Sequence, residues 1–233
     1  MKVLIIIPAY NEEQNLEKVM ERLKAACPQY DYVIINDGST DRTGEICETN
    51  RYHVIHHPVN QGLARAIQTG MKYALEHDYD MALQFDSDGQ HLPEYIEDMV
   101  KHMEEKNCDV VIASRFYGIK MPFRLRTLGG KMISAAIKMT TGKYLTDPTS
   151  GMRLYKRNII RLFAENNEYS PEPDTIACLI RMGADVQEVK VEMEERTRGK
   201  SYLTPVNATK YMVRVLSSIL LLQWTRKKKK ATF

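Results

Sequence analysis

Five short apolar runs, each followed by a polar turn, set the pattern of the first half of the chain. They occupy residues 3–7, 32–35, 53–56, 81–85 and 109–114. Continuous runs of this length, rich in Val, Ile and Leu, are typical of strands covered on both faces. Between the runs, apolar residues recur at helical spacing, as Leu16, Val19 and Leu23 do, and Asn11 is a candidate cap for this helix. Strands that alternate with helices predict an α/β domain with a mostly parallel central sheet and helices on both faces.

The second half of the chain continues this domain less regularly. Apolar spacing predicts a helix over 122–140, a short strand over 152–155, a helix over 175–182 and a last strand over 186–193. We therefore expect one α/β domain over residues 1–203 and a separate segment over 204–233.

The C-terminal segment predicts an amphipathic helix over 207–224. Lys210 and Arg214 share one face, whereas Met212, Val215 and Ile219 lie in a broad apolar arc. The uninterrupted apolar stretch is too short to span a bilayer but suits a helix that lies in the membrane interface. The alternative is a helix packed on the domain or on a partner subunit.

Charge supports a membrane surface and argues against nucleic acid as a partner. Five of the 33 basic residues stand together at 226–230, so the other 28 are outnumbered by the 30 acidic residues. A basic end beside an apolar helix is attracted to anionic headgroups. The sequence predicts no nucleic-acid binding and a cytoplasmic, peripheral location at the inner face of the cell membrane, where a separate membrane protein could serve as partner.

The four cysteines indicate neither a zinc site nor a disulfide framework. Cys27, Cys47, Cys108 and Cys178 are widely spaced and form no CxxC pair. We expect them to be reduced and buried.

Acidic and amide side chains follow the predicted strands directly. Asp86, Asp88 and Gln90 come after the fourth strand, and Asp37 follows the second. Ligands of open α/β sheets bind at the carboxyl ends of strands. Oxygen ligands at this spacing suit Mg²⁺ or Mn²⁺. The alternative interpretation of each motif is an acidic turn that caps the next helix.

Several motifs in order carry a family resemblance over residues 3 to about 203. The segments are 8–13 (PAYNEE), 36–41 (NDGSTD), 60–62 (NQG), 86–91 (DSDGQH), 113–116 (ASRF), 147–153 (DPTSGMR) and 196–201 (RTRGKS). Together they resemble family-two glycosyltransferases with the GT-A fold, a Rossmann-like sandwich, and within them the dolichyl- and polyprenyl-phosphate sugar transferase branch. In place of the usual acidic residue before Asp37, this chain has Asn36.

The resemblance implies a role for each matching residue. The nucleotide-sugar would contact residues that line its base, ribose and phosphates: Pro8, Tyr10, Glu12, Asp37, Gly62, Asp86, Arg196, Lys200 and Ser201. Asp86, Asp88 and Gln90 would hold the cation, and Arg115 with Arg126 would meet an acceptor phosphate. Asp88 and Asp147 would be the catalytic carboxylates.

Inverting transfer needs a nucleophile opposite the departing nucleotide, and the acceptor decides whether it also needs a base. A lipid phosphate is already anionic, whereas a hydroxyl must lose a proton. Asp147 is the candidate base, with Glu172 or Asp174 as its rival. Each also has a plain structural interpretation, as a turn residue or a helix start.

The sequence therefore predicts a metal-dependent inverting glycosyltransferase of cell-envelope glycan synthesis. Its donor would be a UDP- or GDP-linked sugar and its acceptor a polyprenyl phosphate. One alternative is transfer to a hydroxyl of a lipid-linked or cell-wall polysaccharide. Another is a non-catalytic subunit that binds a nucleotide-sugar in a membrane complex.

Overall fold

The computed structural model describes residues 1–119, 125–194 and 205–221, with side chains for 1–119, 127–194 and 209–221. The described residues form seven strands: β1 Val3–Ala9, β2 Asp31–Asn36, β3 Val54–His56, β4 Met81–Gln84, β5 Val110–Ser114, β6 Arg153–Lys156 and β7 Val186–Lys190. They also form eight α-helices: α1 Leu16–Ala26, α2 Thr43–Thr49, α3 Leu63–Glu76, α4 Ile96–Lys106, α5 Leu125–Thr141, α6 Arg157–Glu165, α7 Pro173–Met182 and α8 Pro205–Leu220. A short 3₁₀ helix, Pro93–Tyr95, precedes α4.

The strands make one sheet in the order β3-β2-β1-β4-β6-β5-β7. β1 to β4 pair in parallel, as do β5 and β7, while β6 lies antiparallel between β4 and β5. The predicted mostly parallel sheet is confirmed. The inserted β6 has a functional consequence, because the loop before it emerges at the same edge as the ends of its neighbours.

Alternate residues of each strand face two separate cores, one on either side of the sheet. Leu4 and Ile6 of β1 join a core with α3 and α5 to α8, whereas Ile5 and Ile7 join a core with α1 and α4. All four residues are at most 1% exposed. The apolar run of β1 has no polar alternation because both of its faces are covered.

One helix and one cap differ from the sequence prediction. α6 was not predicted as a helix, since it is short and follows β6 with no intervening turn signal. Asn11, a candidate helix cap, instead has a φ of 54° and accepts a hydrogen bond from Thr40 N at 2.9 Å. The helix that it was expected to cap begins at Leu16.

The C-terminal helix packs against its own domain. Val215, Ser218 and Ile219 are buried, and Met212 contacts Gly129 of α5. Tyr211 Oη and Ser218 Oγ donate hydrogen bonds to acids of α7 and its cap. This face of α8 thus follows the packing alternative. The predicted domain boundary at 203/204 and residues 222–233, including the basic tail, lie outside the described residues.

All four cysteines are buried free thiols, as the sequence predicted. Burial raises the pKa of Cys27, Cys47 and Cys108 to about 11. In the described parts of the chain, every helix is too short or too polar to cross a bilayer.

Candidate functional site

The loops after β1 and β2 lock together and form one side of the site. Asn11 N donates to Ser39 Oγ at 3.0 Å, and Glu12 N donates to Thr43 Oγ1 at 2.9 Å. The side chain of Tyr10, at the tip, remains 42% exposed. The Pro8 carbonyl accepts a 2.7 Å hydrogen bond from Ser87 Oγ, which ties the end of β1 to the loop after β4.

Asp37 is a buried carboxylate whose oxygens are engaged by the loop after β3. It is 3% exposed. Oδ1 lies 2.7 Å from His57 Nδ1 and accepts from Gln61 N at 3.0 Å, and Oδ2 accepts from Gly62 N at 2.7 Å. Asp37 therefore shapes the loop that begins α3, whatever contact it makes with a nucleotide.

His57 was not singled out from the sequence. Its ring spans Asp37 and α3, since Nε2 lies 2.9 Å from Thr69 Oγ1. Asn36, the residue before Asp37, lies with its side-chain Nδ2 2.9 Å from His56 Nδ1. A histidine between a predicted strand and an Asn-Gln-Gly turn carries no local sign of a partner 20 residues earlier.

Two glycines allow these loops to approach each other. A Cβ on Gly38, where φ is 66°, would overlap the backbone of Val59 and Asn60. Gly62 has a φ of 85° and open space around its Cα. Gly38 is required for close contact and for its backbone conformation, whereas Gly62 is required for conformation alone.

Asp86 follows β4 and is surrounded by polar groups. His91 Nε2 and Gln84 Nε2 each lie 3.3 Å from one of its oxygens. Burial acts to raise the pKa of Asp86, but the hydrogen bond and charge of His91, the Gln84 amide and the charge of Arg153 hold it below its ordinary value. This carboxyl group is ionised at neutral pH.

Asp88 and Gln90 form a tight turn beside it. Asp88 Oδ1 accepts from Gln90 N at 3.1 Å, and Gln90 Nε2 donates to Asp88 Oδ2. The Gln90 carbonyl accepts a hydrogen bond from Glu194 N at 3.0 Å, and His91 forms an isolated antiparallel β-bridge with Met193. The turn is thereby fixed to the chain that leaves β7.

The donor set fits a divalent cation shared with a phosphate ligand. Both Asp86 and Asp88 are partly exposed. Within the described ranges, no three His, Cys, Asp or Glu side chains come together as a complete metal-binding group. Mg²⁺ commonly takes only one or two carboxylates from a protein and completes its shell with water and substrate phosphates. The two acids match that pattern.

Arg115 and Asp147, predicted separately, form a bidentate pair. Arg115 Nε and Nη2 donate to the two oxygens of Asp147 at 2.7 and 2.9 Å, and its backbone N donates at 3.2 Å. Asp147 is 1% exposed, whereas the Arg115 side chain is 40% exposed. The hydrogen bonds that Arg115 donates to Asp147 raise the pKa of Arg115. The pair presents a permanently charged guanidinium at the surface of the site.

Glu188 of β7, which was also missed from the sequence, accepts hydrogen bonds from the loop that carries Asp147. Its carboxylate accepts from Thr146 N, Thr146 Oγ1 and Asp147 N at 2.7 to 3.0 Å. Glu188 is 6% exposed. A buried acid on a strand gives no local signal of its loop partners, which lie 41 and 42 residues earlier.

Glu172 and Asp174, the rival bases, are engaged by α8. Tyr211 Oη and Arg214 Nη2 donate to Glu172 at 2.8 and 3.0 Å, and Ser218 Oγ donates to Asp174 at 2.6 Å. These contacts dock the C-terminal helix.

The remaining predicted residues fall outside the description. Arg196, Lys200 and Ser201 lie outside the described residues, and only the backbone of Arg126 is described, in α5. The chain before Arg196 is anchored beside the turn of Asp88 and Gln90. Arg22 donates to Glu94 and to Glu194, each at 2.8 Å.

Comparisons with known proteins agree on one family. The family model described as "Glycosyl transferase family 2" matches residues 4–163. An undecaprenyl-phosphate mannosyltransferase of Micrococcus luteus is 30% identical over 226 residues, covering 88% of each chain. A polyprenol monophosphomannose synthase of Mycolicibacterium smegmatis is 28% identical, covering 92% of this chain and 85% of that one.

Solved structures share the fold. Glucosyl-3-phosphoglycerate synthase of Mycobacterium tuberculosis, in complex with Mn²⁺, uridine diphosphate and phosphoglyceric acid, superposes with a TM-score of 0.68. The sequence identity is 17%, and the match covers 94% of this chain and 77% of that one. The predicted GT-A architecture is confirmed by this likeness.

Proposed function

The chain belongs to glycosyl transferase family 2, and from that premise we propose that it transfers a sugar from a nucleotide-sugar to a polyprenyl phosphate, with inversion at the anomeric carbon. One observation carries the proposal. The loop that carries Asp147 holds Arg115 at one end and, at Gly151, lies against Asp86 at the other. The proposed cation ligand Asp86 and the partly exposed guanidinium of Arg115 are thus joined by five residues at one sheet edge.

The donor half of the site uses the turn after β4. Asp86 and Asp88, with the Gln90 side chain, would hold Mg²⁺ or Mn²⁺ between the protein and the donor diphosphate. When bound, such an ion neutralises the charge that develops on the leaving nucleotide diphosphate. The loops around Tyr10, Asp37 and Gly62 form the adjacent wall, where the nucleoside is proposed to lie.

The acceptor half favours a phosphate over a hydroxyl. Both Asp147 oxygens accept from Arg115, so this buried carboxylate is poorly placed to take a proton and well placed to orient the guanidinium. A lipid phosphate oxygen needs no base. It forms the new bond to the anomeric carbon while the bond to the diphosphate breaks and its electrons leave with the nucleotide.

The relatives support this acceptor class. The names of the Micrococcus and Mycolicibacterium proteins specify undecaprenyl phosphate and polyprenol monophosphomannose. By analogy we propose a polyprenyl phosphate for this chain and leave its sugar and nucleotide base unspecified. Mg²⁺ or Mn²⁺ dependence is proposed from Asp86 and Asp88, in keeping with the Mn²⁺ bound by the fold relative.

We also propose that the enzyme adsorbs to the cytoplasmic face of the membrane through α5. Leu128, Met132, Ala135 and Met139 follow one another at helical spacing on this helix and are all exposed, Met139 to 72%. An unbroken exposed apolar stripe suits the interface between headgroups and acyl chains. Lys138 is exposed on the same helix and adds attraction to anionic lipid.

The transfer reaction is tested by incubating labelled nucleotide-sugars with polyprenyl phosphate and extracting the lipid. We expect a lipid-linked product that depends on Mg²⁺ or Mn²⁺ and falls by at least about 100-fold in Asp88→Asn, because charge stabilisation of the leaving group is lost. Asp98→Asn is the control, since Asp98 is an exposed acid of α4.

Three results would contradict the proposal. Full activity of Asp88→Asn would remove the cation assignment. Nucleotide-sugar binding without turnover on any polyprenyl phosphate would favour the non-catalytic subunit, and product formation only with a glycan hydroxyl would favour the other acceptor.

Membrane adsorption is tested by co-sedimentation with vesicles that contain anionic phospholipid. Burying one methionine contributes about 1.5–3 kcal/mol, so Met132→Glu with Met139→Glu should weaken partitioning more than about tenfold. The control Met132→Leu with Met139→Leu keeps the surface apolar and should bind normally. Equal binding of both double variants would rule out this stripe, and loss of a dimer instead of lipid binding would assign it to a protein partner.

A further inference from the structure

Arg153 is a guanidinium enclosed by the protein beneath the site. It begins β6, is 1% exposed, and stands opposite Gln84 of β4 and Ile112 of β5 in the sheet. It is the last residue of the 147–153 motif.

Its hydrogen-bond partners are two backbone carbonyls of a single turn. Nε donates to the Ser150 carbonyl and Nη2 to the Pro148 carbonyl, both at 2.8 Å. Nη1 is buried without a hydrogen-bond partner in the part of the chain that the structure describes. Among those residues, no acid lies within salt-bridge distance of Arg153.

Stability alone does not account for such a residue. Enclosing a guanidinium that no acid contacts directly is costly even though the charge of Asp86 is near enough to interact with it. Replacing buried ionic groups with apolar ones of similar volume is often neutral or stabilising. Two neighbouring polar atoms, Gln84 Oε1 and Tyr155 Oη, are also buried without hydrogen-bond partners among the described residues. Costly polar clusters of this kind occur where function requires a fixed arrangement.

The turn that Arg153 holds connects both halves of the site. At its start, Asp147 orients Arg115 through two hydrogen bonds. Near its end, Gly151 lies so close to Asp86 that a Cβ would overlap Oδ2. The Arg153 side chain holds the two carbonyls between these points, and so fixes the turn that contacts both Arg115 and Asp86.

We propose that Arg153 is a positioning residue for sugar transfer, which fixes the 147–151 turn so that the acceptor group on Arg115 meets the donor held at Asp86. The role rests on the proposed function. It predicts that losing Arg153 slows the chemical step while the fold and the donor site persist, because a misplacement of about 1 Å between reacting groups can cost about 100-fold in rate.

The test compares Arg153→Met, Arg153→Lys and the control Arg157→Met. Arg157 lies four residues later, at the start of α6, and pairs with Asp78. For Arg153→Met we expect an unchanged or raised thermal midpoint, a nucleotide-sugar KM within about threefold of the wild-type value, and a kcat lowered by about 100-fold. Arg153→Lys, which keeps the charge but not the paired donors, should remain at least about tenfold impaired.

Hydrogen exchange gives a readout that does not depend on the acceptor. Amides of residues 147–152 should exchange faster in Arg153→Met than in wild type, whereas Arg157→Met should leave them unchanged. Wild-type kcat in Arg153→Met, normal exchange in this turn, or unfolding of Arg153→Met at assay temperature would each overturn the positioning role. Absence of a lipid-linked product with the wild-type protein would instead overturn the proposed function and leave the exchange result to decide the role of Arg153.

Discussion

The carboxylate of Asp37 exemplifies what single residues do at this sheet edge. It sits at the end of β2, where a nucleotide-binding acid was predicted, yet its oxygens face His57 and the amides of Gln61 and Gly62. Asp37 holds the loop after β3 in place, and it can contact a nucleotide-sugar only while that loop keeps this conformation. Its partners are therefore as informative as the residue itself.

His57→Phe should weaken both the fold and donor binding. The substitution removes a ring nitrogen 2.7 Å from Asp37 Oδ1 and leaves a buried charge with fewer partners, which costs about 1–3 kcal/mol. Urea denaturation should report this loss, together with a raised KM for the nucleotide-sugar. Thr69→Val breaks only the outer bond of His57 and should have a smaller effect; equal effects would mean that the Asp37 bond is unimportant.

Asp41→Asn should destabilise the protein at neutral pH but not in acid. Burial acts to raise the pKa of Asp41, but hydrogen bonds from the Thr43 hydroxyl and amide and from Glu13 N lower it overall. A depressed folded-state pKa contributes stability above the unfolded value of about 3.9, and this contribution is lost as the pH falls through the folded value. The free energies of unfolding of the two proteins, measured with urea, should differ by about 1 kcal/mol at pH 7 and converge near pH 2. A difference that persists in acid would show that charge is not the cause.

Helix packing at the scale of elements depends on small contact residues. Gly70 of α3 lies against β1, where an added Cβ would overlap Cγ2 of the buried Ile6. Gly129 of α5 faces the flexible end of Met212 on α8, with Sδ 2.9 Å from the position of an added Cβ. The two glycines thus allow close approach against a rigid and an adaptable neighbour.

Gly70→Ala should destabilise the protein, and Gly129→Ala should be close to neutral. Overpacking against a core isoleucine costs about 1–3 kcal/mol, which exceeds the gain of up to about 1 kcal/mol in helix propensity. Thermal unfolding of the two variants checks the difference. A stabilised Gly70→Ala protein would mean that α3 can move away from β1 without cost.

Helix α8 shows how one amphipathic pattern permits two interpretations. Its apolar arc could face lipid or protein, and the tertiary structure uses it against α5 and α7. An exposed apolar stripe lies instead on α5, which the sequence predicted as a helix without assigning it a surface role. We therefore propose α5, and not the C-terminal helix, as the element that contacts the membrane.

At the scale of the whole molecule, α8 belongs to the core it covers. Val215 and Ile219 share a buried cluster with Leu4 of β1 and Ile67 of α3. A defect at the C-terminal helix should therefore lower the stability of the entire sheet and not only of the helix.

Ile219→Asp should lower a single cooperative unfolding transition by at least about 3 kcal/mol, because it buries a charge in this core. Val213→Asp is the matched control, since Val213 is on the same helix and 60% exposed. Circular dichroism and intrinsic fluorescence should report the same transition in both proteins. A separate early transition in Ile219→Asp would show that α8 folds independently.

Local pattern sufficed to predict the alternation of strands and helices and the sheet edge that carries the motifs, including the 86–91 turn, whose role as a cation site stays a prediction. Each of these depends on hydrophobic periodicity or on residues that follow a strand directly, so a short window of sequence contains the signal. Strand boundaries differ by only a few residues: the predicted strand 186–193 ends at Lys190 because the chain then turns toward His91.

The partners of those residues were decided only by the tertiary structure. Arg115 meets Asp147 across 32 positions, and His57 meets Asp37 across 20. Arg153 lies under the site because β6 enters the sheet antiparallel between β4 and β5. A carboxylate or guanidinium looks the same in sequence whether it faces substrate or another side chain, because its partner is chosen by long-range strand order and burial, which no local pattern specifies.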